Sequence, residues 1–297
     1  MKHHKILAYA VCSPAQMKGV TMTTTKVKVK TKAYEELEIR DDFMYGKATE
    51  DLEIARRLME MATGRTIDNL KFAENQKTII ATMDGKDVRL DSYIEDDKNV
   101  IYDSEMHNRG NEDTKSDPQL PKRSRYYQGM IDINVLEGGA RYQELKRSYI
   151  VFFCTFDPFG KNLKRYTFEN ICLEDPELKL GDMTTKIFFN SKGIFDGTSP
   201  ITKSQEAFLK YIETGEVSDD FTNLLANKVK EIRENRKWRS QYMKTLTHDQ
   251  DIYDSGYDSG YAAASEVYDD QLADKNAKIA KLEAKLAEAG IDLQEDS

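Results

Sequence analysis

The chain has 297 residues, of which 39% are hydrophobic, 32% charged and 10% aromatic, too aromatic a mixture for a disordered chain. The net charge of −8 is unevenly placed: residues 249–297 hold 13 acids against 4 lysines, a balance of −9, which leaves about +1 on residues 1–248. The acidic total therefore does not exclude a polyanion as partner of the main body.

Along residues 1–33, expected to be a flexible N-terminal segment, Lys2–Lys5 precede an apolar run, Ile6–Cys12, of only 7 residues. That is the short limit for a secretory leader, and the other reading is a disordered or mis-started terminus with Met17 or Met22 as the true start. Cys12, Cys154 and Cys172 make no CxxC or Cys/His zinc pattern and leave an odd thiol, which points to a reducing, cytoplasmic setting without a disulfide framework. No run approaches the roughly 18 apolar residues of a membrane span, so no membrane partner is expected.

Residues 34–62 carry helical periodicity through Leu37, Phe43, Leu52, Ile54, Leu58 and Met61, with Gly64 as the stop. A three-strand meander follows, with strands at 78–83, 88–94 and 100–106. Asp84-Gly85 and Asp96–Asn99 are its turns. A polar loop over 108–122 leads to a helix over 123–136, ended by Gly138-Gly139. The unbroken apolar run at 148–156 fits a strand buried on both faces, and strands near 164–168 and 186–190 complete a mixed sheet. From 201 the pattern is helical, through Phe208, Leu209 and Ile212 and then from Phe221 to Leu246. The order predicts an α/β fold in four parts: 1–33, a core over 34–200, a partly basic helical extension over 201–250, and an acidic tail over 251–297.

The tail places Gly256, Gly260 and Ala264 on one helical stripe and Tyr253, Tyr257 and Tyr261 on another. Leu272, Ile279, Leu286 and Leu293 then recur every 7 residues, with Leu282 and Ala289 at the second seam position. Lys275 and Gly290 interrupt the seam, so a short coiled coil joining two copies and a solvated helix both remain open.

The chemistry concentrates in the meander. Asp91 lies near the centre of its second strand, and Glu105 and His107 sit two positions apart on the third, facing the same side. Hairpin pairing brings Asp91 beside them, and two carboxylates plus waters suffice for Mg²⁺ or Mn²⁺. His107 is the neighbouring polar side chain expected to take part in catalysis by orienting the attacking water. Taken alone, such carboxylates are as readily solvated surface groups, and a histidine at a strand end is commonly a surface residue. Asp103 is expected to face away from Glu105 and is given no role.

Several stretches resemble the PD-(D/E)xK nuclease superfamily, and more narrowly its putative-transposase branch of recombination-promoting nucleases. They are Asp41–Tyr45, Val88–Asp91, Tyr102–His107, Arg123–Met130 and Tyr149–Phe156 followed by Asp157-Pro-Phe-Gly, spread over about residues 40–265. The resemblance implies a restriction-endonuclease-like core and a Mg²⁺- or Mn²⁺-dependent DNA endonuclease. It makes Asp91 the metal-binding aspartate, Glu105 the acid of the (D/E)xK motif, and His107 the residue where the superfamily has Lys and this branch commonly Gln. A neutral imidazole in place of a fixed cation leaves open whether this copy cleaves DNA.

Basic residues supply sequence-independent phosphate affinity. Lys228 to Lys244 carry a balance of +5, and Arg123 and Arg125 on the 123–136 helix are candidate phosphate contacts. Tyr126, Tyr127 and Trp238 are candidate stacking residues, although core packing suits the two tyrosines better. Walker A, GxGxxG, HExxH and GxSxG motifs are absent, so NTPase, dehydrogenase, zincin and α/β-hydrolase readings lack their signatures. The rival readings are a catalytically inactive nuclease fold that binds DNA and a self-associating interaction protein.

Overall fold

The computed structural model describes residues 31–79, 87–108, 117–136, 138–194 and 201–289. Residues Lys32–Lys244 form one compact unit, and the described residues from Thr245 on belong to a second.

The first unit is mixed α/β. Among the described residues six strands, β1 (Leu70–Ile79), β2 (Val88–Asp96), β3 (Ile101–His107), β4 (Ser148–Cys154), β5 (Arg165–Phe168) and β6 (Thr184–Asn190), form a sheet in the order β1-β2-β3-β4-β6-β5. The meander β1-β2-β3 is antiparallel, β3-β4 and β4-β6 are parallel, and β5 closes the edge antiparallel to β6. Parallel neighbours need a crossover, and α3 (Leu120–Val135) supplies it between β3 and β4. β1 begins earlier than the sequence predicts, and the Asp84-Gly85 turn lies outside the described residues.

All seven residues of β4 are buried, as their unbroken apolar run requires of a central strand covered on both faces. Alternation sends Phe152 toward Tyr127 of α3 and Phe153 toward Tyr45 and Phe208 on the other side. Those two come from α1 (Asp42–Ala48) and α4 (Lys203–Thr214).

The single helix expected over 34–62 is instead a 3-10 turn at Tyr34–Glu36, then α1, then α2 (Leu52–Thr63). The apolar period runs on through the break, but Asp51 ends it locally: its carboxylate accepts the Glu53 and Ile54 N–H groups and starts α2 afresh. Gly64, at φ 71°, ends α2 in the left-handed conformation that glycine adopts without strain.

The helical stretch after 201 also breaks, at Asn235, into α5 (Asp220–Glu234) and α6 (Arg236–Glu288). Its first part is no separate extension. Arg233 donates to the Leu37 carbonyl, Tyr34 to that of Ile232, and Tyr242 to that of Lys32, all within the compact unit. α6 continues into the second unit, where Leu272, Ile279 and Leu282 are exposed along it. Among the described residues no helix is long and apolar enough to cross a membrane.

Candidate active site

The β2-β3 ladder runs from Glu95 opposite Ile101 to Ser92 opposite Ser104. One step further, Asp91 and Glu105 face each other, and side chains take over the bonding. The Asp91 N–H donates to Glu105 Oε1 at 2.9 Å, and the Met106 N–H donates to Asp91 Oδ2 at 3.4 Å. The second Glu105 oxygen, Oε2, accepts from Arg123 Nη2 at 2.9 Å. Arg123 stands in the first turn of α3, where its Nε also donates to the Tyr127 hydroxyl one turn on, at 2.7 Å.

Asp103 does not face away. Residues two apart on a strand share a face, so Asp103, Glu105 and His107 line one side of β3. Asp103 is 0% exposed, and among the described residues neither of its buried carboxylate oxygens has a hydrogen-bond partner. Burial, and then the charge of Asp91, hold its carboxyl well above the ordinary aspartate range. Glu105, 1% exposed, is raised by burial and then by the charges of Asp91 and Asp103, while Arg123 works the other way.

Burial pushes Asp91 up to about 6, and the next cause is a group that the sequence did not single out: Asp42, at the start of α1. It lies within the Asp41–Tyr45 stretch that carries part of the resemblance, so the signal was present without a role attached. Arg123 and Arg89 pull Asp91 back down. Several carboxylates thus share one partly buried region, with Arg123 as the cation in direct contact.

His107 links this cluster to the loop before α3. Its Nδ1 lies 3.4 Å from Arg123 Nη1 and its Nε2 lies 3.2 Å from Asp117 Oδ2. A guanidinium only donates, so Nδ1 must accept, and the ring proton sits on Nε2 and is given to Asp117. These two contacts match an imidazole that accepts at Nδ1 and donates at Nε2, a tautomer assigned from the hydrogen bonds.

Among the described residues no three His, Cys, Asp or Glu side chains are grouped to hold a metal ion. The carboxylates fit a cation electrostatically, because the two oxygens of Asp103 lack a partner among the described residues and three acids are raised together.

Of the candidate phosphate contacts, Arg123 turns inward to Glu105, whereas Arg125 is exposed. In the basic stretch, Lys228 pairs with Asp51 and Glu231, and Arg239 with Glu35, so part of its charge is spent within the protein. Tyr127 packs in the core as expected, while Tyr126 is exposed. Comparison with protein-family models, curated proteins and solved structures finds no match to this chain.

Proposed function

We propose that this chain is a Mg²⁺- or Mn²⁺-dependent DNA endonuclease of the PD-(D/E)xK transposase type, built on a restriction-endonuclease-like core. The observation that carries this reading is the buried carboxylate cluster at the point where the β2-β3 ladder ends, with Asp91 and Glu105 opposed and Asp103 unpartnered. A buried carboxylate without a partner costs several kcal/mol, so such a cluster persists where it serves a function.

Asp91 and Glu105 are the residues that would hold the cation. When bound, a divalent cation supplies a Lewis acid that offsets phosphate charge and generates a nucleophile from water at neutral pH. Arg123 offers the planar donor set suited to a phosphate oxygen and already stands beside Glu105. His107 holds the second edge of that guanidinium through Nδ1 and is itself held by Asp117, so it positions Arg123.

A second reading has its own observation. Arg123 satisfies Glu105 as a salt bridge, and no three-ligand group exists among the described residues, which suits a nuclease fold that binds DNA without cutting it. Supercoiled plasmid with Mg²⁺ or Mn²⁺, against an EDTA control, separates the two. Nicked or linear product that EDTA abolishes supports the endonuclease; a gel shift without product in any metal supports the inactive fold.

A further inference from the structure

On the α3 face of the sheet, at the β5-β6 edge, lies a cavity of about 250 Å³ that the nuclease site does not use. Phe159, Phe168 and Phe188 line it, three rings whose centroids lie 5.0–5.7 Å apart. Phe168 is 44% exposed, a large aromatic left in water at the cavity mouth. Lys186 also lines the cavity; its backbone pairs in the sheet, while its ammonium makes no hydrogen bond or ion pair among the described residues. The carboxylates of Asp132 and Asp182 lie within its field but do not pair with it. Ser124, Asn170 and Thr184 add polar groups to the lining, and so does the Glu169 carboxylate, whose charge is met by Lys179.

The sheet register ties this cavity to the acidic cluster. Phe188 is level with Phe152 on β4, which is level with Glu105 on β3. Lys186 is level in the same way with Ile150 and Asp103. Neighbouring strands are roughly 4.8 Å apart, so two steps put the cavity about 10 Å from the carboxylates, on one side of the sheet. The first turn of α3 connects them as well, since it places Ser124 at the cavity and Arg123 on Glu105.

A volume of this size is below the roughly 300–1,000 Å³ of sites for drug-sized ligands, yet it admits one flat heterocycle. Aromatic faces hold nucleobases by stacking without regard to sequence, and an unpaired ammonium attracts the accompanying phosphate. A base inside a duplex has both faces covered and cannot enter, so the occupant is an unstacked one. We infer that this cavity receives one unpaired nucleotide of a DNA strand, its base against Phe168 and its phosphate on Lys186. The inference deepens the nuclease reading and rests on it for the identity of the strand as DNA.

The test uses the full chain in EDTA, so that binding is read without cleavage and stands apart from the plasmid assay. The probe is a short single-stranded DNA carrying one 2-aminopurine, compared with the same strand in a duplex. The wild type should bind the single strand more tightly and quench the 2-aminopurine emission. Phe168→Ala should lose the quenching and weaken binding by about 5- to 150-fold, the range for one base stacked on one aromatic ring. Lys186→Met keeps the aliphatic stem, and it should lower the salt dependence of binding by about one phosphate contact while keeping the quenching. Circular dichroism on both variants checks that the fold is kept, and the second variant carries the test if the first does not fold. Equal binding and quenching in wild type and both folded variants, or no binding of the single strand by the wild type, overturns the proposal. Free deoxynucleoside monophosphate at the same concentration should not compete; if it displaces the strand, the cavity serves a small molecule and the strand proposal fails.

Discussion

Asp91 and Glu105 each bond to the other's strand: Glu105 Oε1 accepts the Asp91 N–H at 2.9 Å, and Asp91 Oδ2 accepts the N–H of Met106, the neighbour of Glu105, at 3.4 Å. Side-chain carboxylates thus replace ladder bonds where β2 and β3 part, and the same two groups are the ones proposed to hold a cation. Structural and catalytic roles are therefore separable only by conservative substitutions.

Asp91→Asn and Glu105→Gln keep shape and one accepting oxygen each while removing charge; in Glu105→Gln the amide NH₂ replaces one of the two oxygens that now accept from the Asp91 N–H and from Arg123. Plasmid cleavage should fall by about two orders of magnitude or more in each, with the thermal transition retained. Wild-type cleavage rates in both variants would remove Asp91 and Glu105 from the active site.

Stability should fall as pH rises through the titration of Asp91. Its carboxyl is raised from 3.8 to about 6, so the native state keeps a proton that the unfolded chain releases. A group raised in this way stabilises fully below about 3.8 and loses that contribution as pH passes about 6. The loss is about 2–3 kcal/mol across the window. Urea denaturation of wild type and Asp91→Asn from pH 4.5 to 7.5 reads it as wild-type stability that falls relative to the variant as pH rises, and added Mg²⁺ or Mn²⁺ should restore wild-type stability at the high end. A difference independent of pH would show that Asp91 is ordinarily solvated.

Asp103→Leu replaces an unpartnered buried carboxylate by an apolar side chain of comparable reach. Unfolding free energy at pH 7 should rise by about 1–3 kcal/mol. Mn²⁺ binding, followed by calorimetry, should weaken. Destabilisation would mean that Asp103 has a partner in solution that gives it a structural role.

At position 107 the geometry distinguishes Gln from Lys. A glutamine amide can accept from Arg123 through its oxygen and donate to Asp117 through its nitrogen, as the neutral imidazole does. A lysine only donates and places a second cation against Arg123. His107→Gln should therefore keep cleavage within about tenfold, whereas His107→Lys should lower it by more, the loss of a hydrogen bond to a charged group costing about 1.5–3 kcal/mol. The reverse order of activities would restore Lys as the natural occupant and contradict the positioning role of His107.

Truncation after His248 tests the tail. Leu272, Ile279 and Leu282 are exposed along α6 with heptad spacing, the pattern by which two copies bury a common seam. The full chain should appear as a dimer that dissociates on dilution in light scattering, and the truncated chain as a monomer. Nicking should survive while double-strand cleavage falls. Equal solution masses would leave the tail as a solvated helix.

Local patterns carried much of the architecture. The buried run of β4, the strands on either side of Asp96–Asn99, the stop at Gly64 and the coupling of Glu105 to His107 by alternation follow from neighbours within a few residues. The break inside 34–62 does not show in the periodicity because the apolar spacing continues across Asp51, and only the capping geometry reveals it. Asp103 shows both limits: alternation already assigns it to the face of Glu105, but that no donor reaches its oxygens depends on what packs above. Arg123 meets Glu105 across 18 residues of chain, and Asp42 acts on Asp91 from a different helix. Charge pairing and burial of this kind are fixed by how α1 and α3 pack on the sheet, because Coulomb energies and desolvation depend on distances and dielectric surroundings that residue order leaves undetermined.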